Sequence, residues 1–110
     1  MSDNTVPAPV QAMVDAINAA DTEAFVSAFT ADGFVSDWGT VKSGPGGVRS
    51  WAGSDAIGAR ARMTVLSAVT EGDTTRIRFG WSSRVFNGES DGIFVVDGDK
   101  LASFTIPPAH

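Results

Sequence analysis

The sequence predicts an α+β domain in which a helical hairpin covers an antiparallel sheet. Three observations carry this prediction. Apolar residues near the start recur at helical spacing, and from residue 62 the period switches to two. Turn signals then divide the alternating part into strands. Helices segregated from such a meander define the class.

Residues 1–6 form a short polar lead, and one domain is expected over residues 7–106. Val10, Met13, Val14 and Ile17 fall at i, i+3, i+4 and i+7, which predicts an amphipathic helix from Pro7 to near Ala20. Asp21 is a good N-cap and Glu23 places negative charge in the first turn of a second helix. Its stripe is Phe25, Val26 and Phe29, and Asp32-Gly33 is expected to close it. The run Gly33–Gly39 reads as a short edge strand. Ser43–Gly47 reads as a glycine-rich connection, and Val48, Arg49 and Trp51 as a third short helix of one turn or little more. Ser54 is placed as the cap of another short turn. Strands are predicted over residues 62–70, 74–82, 91–96 and 101–106, with turns at 71–73, Asn87-Gly88 and 97–99. Residues 107–110 are left as a tail.

The last two strands are apolar on both faces, with Ile93 and Val95 opposing Phe94 and Val96. A sheet of that kind needs cover on both sides. Two helices cover one, so a homodimer through the other face is expected.

Composition narrows the function. The chain of 110 residues has a formal charge of −5, which argues against a nucleic-acid partner. The arginines 60, 62, 76 and 78 read as a solvated strand face or an interface rim, with an anion-recognising patch as the alternative. Cysteine is absent, which excludes thiolate sites and thiol nucleophiles. The single histidine, His110, is the last residue, so neither a Ser-His-Asp triad nor a histidine metal site is expected. The glycine loop lacks the ending of a phosphate-binding loop. The opening residues have neither a basic nor an apolar leader region, so no signal peptide is expected, and no apolar run approaches the ~20 residues that cross a bilayer. The expected location is cytoplasmic.

Carboxylates remain. Most acids occupy caps and turns, but Asp37 shares a strand face with Val35, and Asp91 shares one with Ile93 and Val95. Each also sits at a strand boundary, where aspartate is ordinarily wet. If both face one apolar cavity, burial and mutual repulsion would hold at least one protonated, giving a base and a hydrogen-bond donor. Walls are available in Trp38, Trp51, Trp81, Phe25, Phe29, Phe79 and Phe104, residues that would otherwise serve as plain core.

The run Ala19-Ala20-Asp21-Thr22-Glu23-Ala24-Phe25 followed by Phe29-Thr30-Ala31-Asp32-Gly33, and then Ser43–Trp51, resembles the nuclear transport factor 2-like superfamily, in particular the SnoaL-like group with its ketosteroid isomerases and polyketide cyclases. The resemblance spans about Val10 to Ile106. It implies a conical, half-open barrel with an apolar pocket at its wide end, and homodimers. By position Asp37 matches the isomerases' general base and Asp91 their protonated oxyanion-hole aspartate. Their site tyrosine falls at Met13, and this chain has no tyrosine. The expectation is a small-molecule pocket lined by Met13, Phe25, Trp38, Trp51, Phe79, Trp81, Ile93 and Phe104. Its activity would be a cofactor-independent, Asp-based isomerase or cyclase chemistry on an apolar cyclic ketone-like substrate, without metal. The alternative is a non-catalytic ligand-binding or dimerisation module.

Overall fold

The computed structural model describes residues 6–84 and 86–107, so most of the lead, the tail beyond 107 and His110 lie outside the described residues. Two helices open the fold, α1 (Ala8–Asn18) and α2 (Thr22–Ser27), followed by strands β1 (Phe29–Asp37) and β2 (Thr40–Ser43). Helix α3 (Gly44–Asp55) and a 3-10 turn (Ile57–Ala59) lead into β3 (Arg62–Glu71), β4 (Thr74–Ser82), β5 (Asn87–Asp97) and β6 (Lys100–Ile106). The strands form one six-stranded sheet in the order β2-β1-β6-β5-β4-β3. The helices lie on one side of it, and its two edges do not meet. The result is an open cone of the α+β class.

Five expectations need correction. The strand expected at a sheet edge, β1, lies between β2 and β6, and β2 is the edge. The sheet is mixed rather than antiparallel, because β1 runs parallel to β6 while every other pair is antiparallel. Periodicity identifies strands but not their neighbours, and here the first and last long strands meet. Helix α2 stops at Ser27, and Gly33 lies inside β1 rather than in a helix cap. A Cβ at Gly33 would stand 3.0 Å from the Phe29 Cβ, so the glycine is there for the close approach of that ring. The glycine-rich run is not a connection. Gly44 starts α3, with Pro45 in its first turn, and the helix runs twelve residues through Ser54, whose hydroxyl donates to the Ser50 carbonyl. Finally, Asn87 and Gly88 pair with Ser82 and Trp81 inside the β4–β5 ladder, and the chain turns before them, where the Ser83 N–H donates to the Phe86 carbonyl.

The expected stripes do form the core. Val10, Met13, Val14 and Ile17 of α1 are buried with Phe25, and they meet Ile77, Phe79, Phe94, Leu101 and Phe104 from the sheet. Phe94 and Phe104, opposite each other on β5 and β6, stack at 4.5 Å. Asp21 caps α2 as expected by accepting from the Ala24 N–H.

One side chain ties α1 to the edge of the cone. Asn18 donates from Nδ2 to the Met63 carbonyl at 2.9 Å and accepts the Met63 N–H at 2.8 Å. These are the free backbone groups of edge strand β3. Replacing Asn18 by Ala leaves both without partners and is expected to lower the unfolding free energy by about 1–3 kcal/mol, measured by urea titration.

Candidate functional site

The site lies where β1 ends. Asp37 pairs across the ladder with Thr40 of β2 and with Ile106 of β6, and only two residues, Trp38 and Gly39, link the two strands. Both have positive φ, 52° and 90°, as a tight hairpin with the sheet's twist requires. Glycine adopts this freely, whereas a tryptophan there is strained by about 1–2 kcal/mol. The Trp38 N–H is anchored on the Ile106 carbonyl at 3.0 Å, and its indole stays 56% exposed at the cavity mouth. A large apolar ring held in water on a strained backbone points to a role other than packing. Trp38→Gly is therefore expected to raise stability slightly while weakening binding of apolar ligands, read by thermal melts and ligand titration.

The remaining walls come from α3 and the meander. Trp51 stands on α3 with Asp55 one turn later, on the same side of the helix. Phe79 and Trp81 alternate along β4, and Ser90 enters from β5. Together with Asp37, Trp38, Phe86, Glu89 and Ile106 they enclose a cavity of about 360 Å³. Pockets for small organic ligands begin at about this size.

Asp37 is half-buried, and the Trp51 indole Nε1–H donates to its Oδ2 at 3.1 Å. Burial pushes its carboxyl above the ordinary carboxylate value. The Trp51 hydrogen bond pulls the other way, because an N–H donor favours the ionised form. The neighbouring Asp55 carboxyl raises it further, as a like charge and a hydrogen-bonding partner. The arrangement is a carboxyl pair in an aromatic chamber, one member clamped by an indole.

The structure brings together Asp37, Trp38, Trp51, Phe79 and Trp81 of the residues expected from sequence. It does not bring the others. Asp91 projects from the opposite face of the sheet, exposed, with its carboxylate 3.1 Å from the Arg78 guanidinium, so the expected pairing with Asp37 is absent. The reason is strand parity: Ser90 and Gly92 of β5 face inward, and Asp91 and Ile93 face out. Ile93 lines a second depression on that outer face, with Val69, Arg76 and Arg78. Met13, Phe25 and Phe104 are fully buried core. Phe25 and Phe104 flank Trp51 at ring distances of 5.8 and 6.0 Å, so they support the cavity wall from behind.

Sequence reasoning missed Asp55, Phe86, Glu89, Ser90 and Ile106. Asp55 was within reach: a full-length α3 puts it four residues after Trp51. No group of acids or histidines suited to a metal ion occurs among the described residues.

No family model and no curated relative matches the sequence. Solved structures do match. A polyketide cyclase candidate from Sinorhizobium meliloti superposes with a TM-score of 0.82 at 24% identity, covering 92% of this chain and 94% of that one. The chain has the nuclear transport factor 2-like fold. A Mycobacterium tuberculosis protein with this fold, in complex with estradiol-17β-hemisuccinate, superposes with a TM-score of 0.79 at 15% identity, covering 96% of this chain and 95% of its own. A Catenulispora acidiphila protein with a ketosteroid isomerase-like fold, in complex with trimethylamine, gives a TM-score of 0.79 at 22% identity, covering 96% and 88%. The nuclear transport factor 2-like fold hosts many unrelated activities, so function has to be argued from the cavity.

Proposed function

We propose that the protein is a SnoaL-like small-molecule pocket protein that moves a proton on an apolar cyclic, ketone-like substrate. The observation that carries this reading is Asp37, a half-buried carboxyl held above its ordinary pKa at the end of a cavity of about 360 Å³ walled by indole and phenyl rings. The steroid-derived ligand of the Mycobacterium tuberculosis neighbour supports an apolar, ring-shaped occupant.

In this reading the rings of Trp38, Trp51, Phe79 and Trp81 hold the substrate body and exclude water. Asp37, ionised, takes a proton from the carbon beside the carbonyl. Negative charge then develops on the carbonyl oxygen and needs a donor. Asp91 is on the wrong face for this. The Ser90 hydroxyl is the uncharged donor that the cavity offers. The proton returns from Asp37 to a different carbon, or to the same one. No cofactor enters these steps.

The test is proton exchange in deuterated water with a panel of apolar cyclic ketones, followed by NMR. Exchange above the buffer rate, abolished in Asp37→Asn, supports the reading. Saturable binding without exchange would instead establish the second reading, a non-catalytic ligand module. That reading is favoured by Trp51, whose indole N–H is a strong neutral donor already committed to Asp37.

Homodimerisation through the outer sheet face belongs to the same proposal. Val69 there is 60% exposed, and Ile93 beside it is only part-buried. Sedimentation should give twice the chain mass, and Val69→Glu should return it to the monomer.

A further inference from the structure

The cavity holds more negative charge than its own walls balance. Asp37, Asp55 and Glu89 line it, and among the described residues no lysine or arginine does. Glu89 turns its carboxylate to Arg78, at 3.4 Å, on the outer face. That leaves Asp37 and Asp55, neither of which is ion-paired with lysine or arginine among the described residues. Asp37 accepts from the Trp51 indole, a neutral group. Carboxylates withdrawn from water call for a cation or a proton. The remaining walls are aromatic, and the faces of indole rings carry negative quadrupole charge. Trp51 turns its N–H edge to Asp37 and stacks on Phe25, and any indole face that the cavity offers a cation adds to the same field.

We propose that the cavity is also an ammonium receptor: it takes an apolar small molecule that carries a protonated or quaternary amine, with the amine between the Asp37 and Asp55 carboxylates and the indole faces of Trp38, Trp51 and Trp81. The inference rests on the reading of this cavity as a small-molecule site, and it does not require catalysis. Cations of this kind are attracted to aromatic faces and, within a cavity poor in water, to carboxylates that lack a partner. Anionic ligands are repelled by the same groups. The chain's net charge of −5 adds attraction for cations at longer range.

The two ligand classes use different states of the carboxyl pair. A ketone accepts a hydrogen bond from Asp37 while that carboxyl holds its proton, so its binding weakens as the pH rises and the proton is lost. An ammonium ion takes the proton's place, so its binding strengthens over the same range. The charged groups facing the pair are each other and Glu89 of β5, held by Arg78. The other lining residues carry no charge.

The experiment compares phenyltrimethylammonium with tert-butylbenzene, a neutral molecule of the same shape. Both are titrated against the tryptophan fluorescence of the wild type and of the D37N/D55N double variant. In the wild type the cation is expected to bind about tenfold more tightly than its isostere, and the preference should disappear in the double variant. Equal or tighter binding of tert-butylbenzene in the wild type overturns the ammonium site and leaves the small-molecule pocket standing. A preference that survives in the double variant assigns it to the protein's general field and also overturns the proposal. If neither compound saturates, the pocket reading itself falls, and this inference with it.

Discussion

Asp37→Asn is expected to slow proton exchange on a bound cyclic ketone by about 10²–10⁴-fold, the usual contribution of a positioned general base. The amide keeps the size of the carboxyl and can still accept the Trp51 indole N–H, so the cavity should survive the change. Stability should move the opposite way to activity. Burial holds the Asp37 carboxyl above its ordinary value in the folded chain, with Asp55 adding to the effect. A group whose pKa is raised by folding contributes stability that is fully present below its unfolded pKa and is lost as the pH rises through the folded value. Asparagine does not titrate. The variant should therefore gain on the wild type as the pH rises from the ordinary aspartate value, about 4, through the raised folded one, a trend that urea melts at a series of pH values will show. A difference that does not change with pH would mean that Asp37 is ordinary and wet, and would remove the physical basis for its role as base.

Trp51→Ala should be the most damaging single change to the fold, costing about 3–5 kcal/mol. The ring is almost fully buried and meets Phe25 at 5.8 Å, Trp81 at 6.1 Å and Phe104 at 6.0 Å. Its loss opens a void where α3 and the sheet join. Trp51→Phe separates the two tasks of this residue. It keeps an aromatic ring in place, with a smaller loss of stability, but removes the donor to Asp37. Since that hydrogen bond holds the Asp37 pKa down, the carboxyl should titrate still higher in Trp51→Phe than in the wild type. Carbon NMR of the Asp37 carboxyl reads this directly, and an unchanged titration would show that the indole does not control it.

The two residues show how far the sequence can be read. Asp37 and the three tryptophans were legible as candidates because a carboxylate on an apolar strand face and large rings on separate segments are local features. Their convergence was not legible. Asp91 looked equivalent to Asp37, in an alternating strand and at a boundary. Which of two alternate residues faces inward depends on register, and a shift of one residue exchanges the faces. The expected start of β5 at Asp91 hid its pairing with Arg78 and concealed the inward Ser90. Asp55 was hidden by length. Glycines and a proline at the head of α3 argued for a loop, although proline is at ease in a first helical turn, and the helix carried on to Asp55.

By itself the sequence determined the class of the fold, the apolar stripe of α1, the Asp21 cap and the lack of cysteine. These follow from spacing and composition, which act over a few residues. Only the tertiary structure decided that β1 lies parallel to β6, that Asp37 meets Asp55 and Trp51, and that Asp91 points away. Those outcomes depend on contacts between segments distant along the chain, which the best joint burial of all their apolar faces selects and no local pattern encodes.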